Sequence, residues 1–145
     1  STLAECFGPL IPQGVFTYFG AGRQVSTLHF DPNENLLVCI SGTKRLWLYP
    51  PSDARHLYPL ASADGSRAGT PPFQSFADLP AHLHATFADM ERTRGPIEVR
   101  LQAGDILYLP CGWWHCVEGG SERNMILVYW FPAHPRKSGL PAGAR

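Results

Sequence analysis

His29 and Asp31 stand two residues apart in Ser26-Thr27-Leu28-His29-Phe30-Asp31, and His115 ends Cys111-Gly112-Trp113-Trp114-His115 far downstream. Along an extended strand, residues i and i+2 project from one side, so an imidazole nitrogen and a carboxylate oxygen reach one point. A second imidazole, from a strand facing the first, completes a set of two nitrogens and one oxygen. Such a set grips one face of a divalent iron and leaves cis positions open for substrate, co-substrate and O2. That is the arrangement of non-haem Fe(II) oxygen chemistry. A His-x-Asp pair alone is common by chance. Here it closes an apolar run, where an unpartnered carboxylate is costly to bury, and His115 follows a Gly-Asp turn, an apolar strand and paired tryptophans.

Lys44 opens Lys44-Arg45-Leu46-Trp47-Leu48-Tyr49 on the same face as Leu46 and Leu48. If that face points inward, an unpaired ammonium is unstable or loses its proton, and an anionic ligand removes the difficulty. The commoner fate of a lysine is to reach into solvent. Asn35 shares a face with Leu37 and Cys39, where an inward amide can bind a carboxylate or orient a water; otherwise it is an ordinary turn residue. Thr27 and Ser26 bring hydroxyls beside the metal motif, and strict alternation places Thr27, not Ser26, on the His29 face.

These residues need strands to position them. Residues 14–20, 24–30, 35–40 and 44–49 read as strands, separated by Ala21-Gly22-Arg23, Pro32-Asn33-Glu34 and Ser41-Gly42-Thr43. Residues 97–101, 105–110, 113–118 and 124–131 form a second group of four. Eight short antiparallel strands in two groups predict an all-β core, a double-stranded β-helix or jelly roll whose mouth can hold a ligand. Between strands four and five, residues 51–96 form a loop and helix insertion. Pro50-Pro51 opens a short helical turn, and residues 61–72, rich in Ala, Ser, Gly and Pro, form a surface loop. Asp78-Leu79-Pro80 then starts a helix whose stripe is Leu79, Leu83, Phe87 and Met90, ended by Gly95-Pro96. His82 and His84 diverge on that helix and read as surface residues. Residues 1–13 are an irregular lead-in to a domain spanning 14–131, and residues 132–145 a flexible tail.

A chain of 145 residues is one domain, long enough to bury roughly 70% of its unfolded surface without disulfides. Lys+Arg and Asp+Glu balance at 12 each, which leaves no electrostatic footprint for nucleic acid or an anionic membrane. Cys6, Cys39, Cys111 and Cys116 contain no Cys-x-x-Cys pair. Cys111 and Cys116 flank His115, but the fourth ligand and paired spacing of a structural zinc site are missing. Free thiols, together with the lack of any apolar run of about 20 residues and of a signal peptide, predict a cytoplasmic or nuclear protein.

The blocks from Ser26 to Pro51 and from Ala103 to His115 resemble the Jumonji-C, cupin-like 2-oxoglutarate oxygenases. The resemblance covers residues 14–131 and is nearest to the branch with the asparaginyl hydroxylase acting on hypoxia-inducible factor. It implies that His29, Asp31 and His115 bind Fe(II), with 2-oxoglutarate and O2 as co-substrates. It implies that Lys44 pairs with the distal carboxylate of 2-oxoglutarate, that Ser26 contributes a hydroxyl there, against the alternation that favours Thr27, and that Asn35 lines the same pocket. Asp31 rather than glutamate in the His-x-Asp tilts the resemblance toward a hydroxylase of a protein or peptide substrate. The alternatives are a lysine demethylase, a tRNA-base hydroxylase and a non-catalytic cupin binding module. Two departures stand out: an asparagine of the last strand is replaced near Val128, and an N-terminal tyrosine is lacking unless Tyr18 takes its place.

Overall fold

Runs of β-branched and aromatic residues between Gly- and Asx-containing turns pair locally, and here they do so in two sheets. The computed structural model describes residues 3–61, 66–70 and 75–133. Its strands are β1 (Val15–Ala21), β2 (Glu34–Ser41), β3 (Thr43–Tyr49), β4 (Ile97–Gln102), β5 (Ile106–Leu109), β6 (Trp114–Gly119) and β7 (Arg123–Phe131). One sheet has the order β1-β7-β2-β5 and the other β4-β3-β6, every pairing antiparallel. The result is the all-β, cupin-type jelly roll expected.

The eighth expected strand, residues 24–30, is not a regular one. It joins β6 through isolated bridges, Val25 to Glu118 and His29 to His115. Its other side is held by residues 66–70: Phe30 N–H donates to the Ser66 carbonyl and Ala68 N–H to the Leu28 carbonyl, each at 2.9 Å. The supposed surface loop thus covers the backbone of the metal motif, with Ala68 and Thr70 buried. Residues 62–65 and 71–74 of that stretch lie outside the described residues.

Alternation along β3 and β6 divides the core. Leu46 and Leu48 of β3 meet Leu37, Cys39, Leu109, Ile126 and Val128 between the sheets. Trp47, Tyr49, Trp114 and Cys116 point the other way and pack on Leu57, Leu79 and Met90 of the insertion. Burial of β6 on both faces is what leaves His115 aimed at the inter-sheet space while Trp114 is fully enclosed behind it.

Among its described residues the insertion is helical only as short 3-10 turns, Pro51–His56, Phe76–Asp78, Ala81–Leu83 and Ala88–Arg92. The stripe of Leu79, Leu83, Phe87 and Met90 does face the core, but no continuous α-helix carries it. The reason is local. Leu79 precedes a proline and is extended at ψ 135, as is Pro80 at ψ 134. Asp78 caps nothing there, since its carboxylate takes the Ser75 hydroxyl at 2.7 Å. His84, expected on the surface, is half-buried: its Nε2 donates to the Leu79 carbonyl and its ring lies on Phe76. The lead-in, expected to be irregular, contains an α-helix, Leu3–Phe7, stopped at Gly8 with φ +79. The tail from residue 134 onward, and residues 1 and 2, lie outside the described residues. No described helix is long and apolar enough to cross a membrane.

Candidate metal centre and its cavity

His29 and His115 are directly opposed. His29 N–H donates to the His115 carbonyl at 3.1 Å and His115 N–H to the His29 carbonyl at 2.7 Å, so both imidazoles leave the same side of the pair. Asp31 follows on the next same-side position. One ligand atom from each of His29, Asp31 and His115 lies within 4.8 Å of the others, and His115 Nε2 is 3.7 Å from Asp31 Oδ2. Among the described residues this is the one His/Cys/Asp/Glu group of that kind.

Backbone carbonyls set the tautomers. His29 Nδ1 lies 2.7 Å from the Thr27 carbonyl and His115 Nδ1 lies 3.0 Å from the Trp113 carbonyl. A carbonyl only accepts, so each Nδ1 carries the proton and each Nε2 keeps its lone pair. Burial and the neighbouring His29 push the His115 pKa down to about 3, so it stays neutral. Burial raises the Asp31 pKa while His29 opposes the rise. Two imidazoles and one carboxylate on one side of the paired backbones fit a divalent transition metal.

The centre opens on a cavity of about 310 Å3, at the small end of ligand sites, which run roughly from 300 to 1,000 Å3. Lys44, Asn35, Ser26 and Tyr18 line it together with His29, Asp31 and His115; Leu37, Leu109, Ile126 and Val128 supply its apolar wall. Lys44 is buried, burial lowers its pKa, and the Cys39 thiol opposes that shift. No carboxylate of the described residues pairs with it. Ser26 Oγ accepts the Val117 N–H at 2.9 Å, which leaves the hydroxyl hydrogen to donate elsewhere. Asn35 Nδ2 donates to the Asn33 carbonyl, and its buried Oδ1 has no partner. Tyr18 is half-exposed, its pKa raised by burial and then by Asp31.

Thr27 is not brought to this cavity. It is exposed, and its backbone carbonyl, not its hydroxyl, contributes by holding His29. Alternation misplaced it because residues 24–30 make isolated bridges rather than a strand. Two residues of the site carry no signal in a local reading. Trp130 lines the cavity with its buried Nε1 unpartnered, and only the register that sets it opposite Asn35 brings it there. Glu34, which reads as a turn residue, is a buried carboxylate bonded to Tyr108 and to the backbone of Cys111. Cys116 packs on the far side of β6, and burial pushes the thiols of Cys111 and Cys116 up to about 11 and about 12.

The model of the cupin-like domain matches residues 2–137. Jumonji C domain-containing protein 5 of Drosophila melanogaster is 31% identical over 118 residues, covering 78% of this chain and 26% of that protein. Lysine-specific demethylase JMJ31 of Arabidopsis thaliana is 32% identical over 114 residues, 75% of this chain and 19% of that protein. tRNA wybutosine-synthesizing protein 4 of Emericella nidulans is 43% identical over 104 residues, 72% of this chain and 9% of that protein. The chain thus spans about a quarter or less of the length of these three curated relatives.

Proposed function

The chain belongs to the cupin-like domain family, and from that premise we propose that it is an Fe(II)- and 2-oxoglutarate-dependent dioxygenase. Its reaction is hydroxylation of a side chain in a protein substrate, with release of succinate and CO2. The observation that carries this reading is the convergence of three metal-ligand side chains and a buried lysine on one cavity. An isolated ammonium there is unfavourable, and a dicarboxylate co-substrate supplies its counter-charge.

His29 Nε2, His115 Nε2 and the Asp31 carboxylate would hold Fe(II), which when bound supplies the oxygen activation coupled to decarboxylation of 2-oxoglutarate. Lys44 and the free hydroxyl hydrogen of Ser26 would bind the distal carboxylate of the co-substrate, as charge-assisted hydrogen bonds. Asn35 Oδ1 can accept from a water or an N–H within the cavity. Tyr18 would stand at its outer side. Leu37, Leu109, Ile126 and Val128 exclude water from the reacting atoms. Val128 occupies the position where the resemblance placed an asparagine, so this contact to the co-substrate is apolar here.

A second reading, oxidation of an N-methyl group on lysine, draws on the relative named as a lysine-specific demethylase and uses the same residues. A tRNA substrate, suggested by the third relative's name, is disfavoured by the balance of 12 cationic and 12 anionic residues, since a phosphate backbone calls for a basic surface. The deciding experiment is an anaerobic titration with Fe(II), then 2-oxoglutarate, followed by visible absorbance. A metal-to-ligand charge-transfer band is expected on adding the co-substrate. Folded protein that gives no band would turn the reading to a non-catalytic cupin. Formaldehyde release in turnover would favour the demethylase over the hydroxylase.

A further inference from the structure

Glu34 is 3% exposed, three residues beyond Asp31 at the start of β2. A buried carboxylate is costly unless well bonded, and this one has long-range partners. Its Oε2 accepts the Tyr108 hydroxyl at 2.7 Å and the Cys111 backbone N–H at 3.1 Å. The next residue, Gly112, takes φ +79 and donates its N–H to the Asp31 carbonyl at 3.0 Å. One residue further, the Trp113 carbonyl fixes the Nδ1 proton of His115. The turn that precedes β6 is therefore tied at two successive amides to the segment that carries His29 and Asp31, once through a side chain and once through the backbone.

We infer that Glu34 is a positioning residue of the metal centre. It clamps the turn at residues 111–112 so that Asp31 and His115 are presented at a fixed separation, without itself touching the metal. The inference rests on the proposed reading of His29, Asp31 and His115 as iron ligands. A hydrophobic residue of similar size would fill the space but could not hold the Cys111 amide. A glutamine keeps a carbonyl oxygen able to accept that amide, so the geometry predicts rescue by Glu34→Gln and failure of Glu34→Leu.

The test is anaerobic Fe(II) titration of the wild type, E34Q, E34L and Y108F, with circular dichroism to verify folding and the 2-oxoglutarate charge-transfer band as the spectroscopic readout. E34L is expected to bind Fe(II) about 10- to 100-fold more weakly, the range for groups that orient metal ligands, with a shifted band. E34Q should stay within about threefold of the wild type, and Y108F, which leaves the Cys111 bond, should fall between them. If E34L does not fold, Glu34→Ala, which also deletes the acceptor for the Cys111 amide, takes its place, and wild-type affinity in folded E34A overturns the role. Wild-type affinity in folded E34L also overturns it, while leaving the iron site standing. A wild type that binds no Fe(II) overturns both.

Discussion

His29 and His115 exchange both of their backbone hydrogen bonds, at 3.1 and 2.7 Å, and their rings lie 4.3 Å apart. Two imidazoles are thus set by strand register rather than by a loop, and a slip of one residue would send His115 to the face now held by Trp114. The His29 backbone lies between His115 of β6 and Arg67, and the His115 backbone between Leu48 of β3 and His29.

It follows that either imidazole can be removed without dismantling the pair, because the backbone bonds do not depend on the side chain. His29→Ala and His115→Ala should each remain folded by circular dichroism. Each should lose more than the roughly 100-fold in Fe(II) affinity that marks the upper range for outer-shell partners, and with it the charge-transfer band. Retention of the band in either variant would remove that residue from the ligand set.

Lys44 separates stability from function. An ammonium that gives up water without a carboxylate partner among the described residues destabilises the empty protein. Lys44→Met nearly keeps the length of the side chain while deleting the charge. Replacing a buried charge by an apolar side chain is often neutral or stabilising, so the metal-free variant should be as stable as the wild type or about 1 kcal/mol more so. Fe(II) affinity should be unchanged and 2-oxoglutarate affinity should drop by at least about tenfold, the loss of one charge-assisted hydrogen bond. A destabilised variant that binds 2-oxoglutarate normally would assign Lys44 to the fold alone.

These relationships were unequally visible in the amino-acid sequence. The alternation of Leu46 and Leu48 against Trp47 and Tyr49, and of His115 against Trp114, announces strands buried on both faces, and the inward aim of His115 follows from it. Residues 24–30 carry the same apolar texture but meet β6 only at two isolated bridges, so period-2 reasoning failed at Thr27. The stripe Leu79, Leu83, Phe87 and Met90 has helical spacing, yet Leu79-Pro80 forces extended backbone, and burial rather than helicity is what the spacing recorded. Glu34 was invisible because its partners, Tyr108 and Cys111, are distant in the chain. A buried carboxylate whose bonds are long-range leaves no local pattern.

Acid should weaken the metal-free protein through His115. The folded state refuses a proton down to about pH 3, whereas the unfolded chain takes one near 6.5. Between those values the unfolded state binds more protons, so stability falls as pH drops, by about 1.4 kcal/mol per unit. Asp31 acts with the opposite sign. Its raised pKa lets the folded state take a proton first, adding stability as pH falls through that range and flattening the acid end of the curve. Urea unfolding at pH 7 and pH 5 should show a His115 contribution of about 2 kcal/mol, absent in His115→Asn. Parallel pH dependences in the two proteins would refute it.

Ser26 and Thr27 decide between the alternation and the geometry. Ser26 Oγ is already an acceptor from the Val117 N–H, and so its own hydrogen is available to a carboxylate beside Lys44. Thr27 is exposed, and only its carbonyl is engaged, at His29 Nδ1, a bond that survives any side-chain change. Ser26→Ala should therefore weaken 2-oxoglutarate by about tenfold, as expected for loss of a hydrogen bond to a charged group. It should also cost about 1 kcal/mol of stability, since the Val117 amide loses its acceptor. Thr27→Ala should alter neither. Co-substrate titration of the Fe(II)-loaded variants, with thermal unfolding alongside, reads both quantities. A tenfold loss in Thr27→Ala with none in Ser26→Ala would mean that the segment aligns as a regular strand when the co-substrate binds.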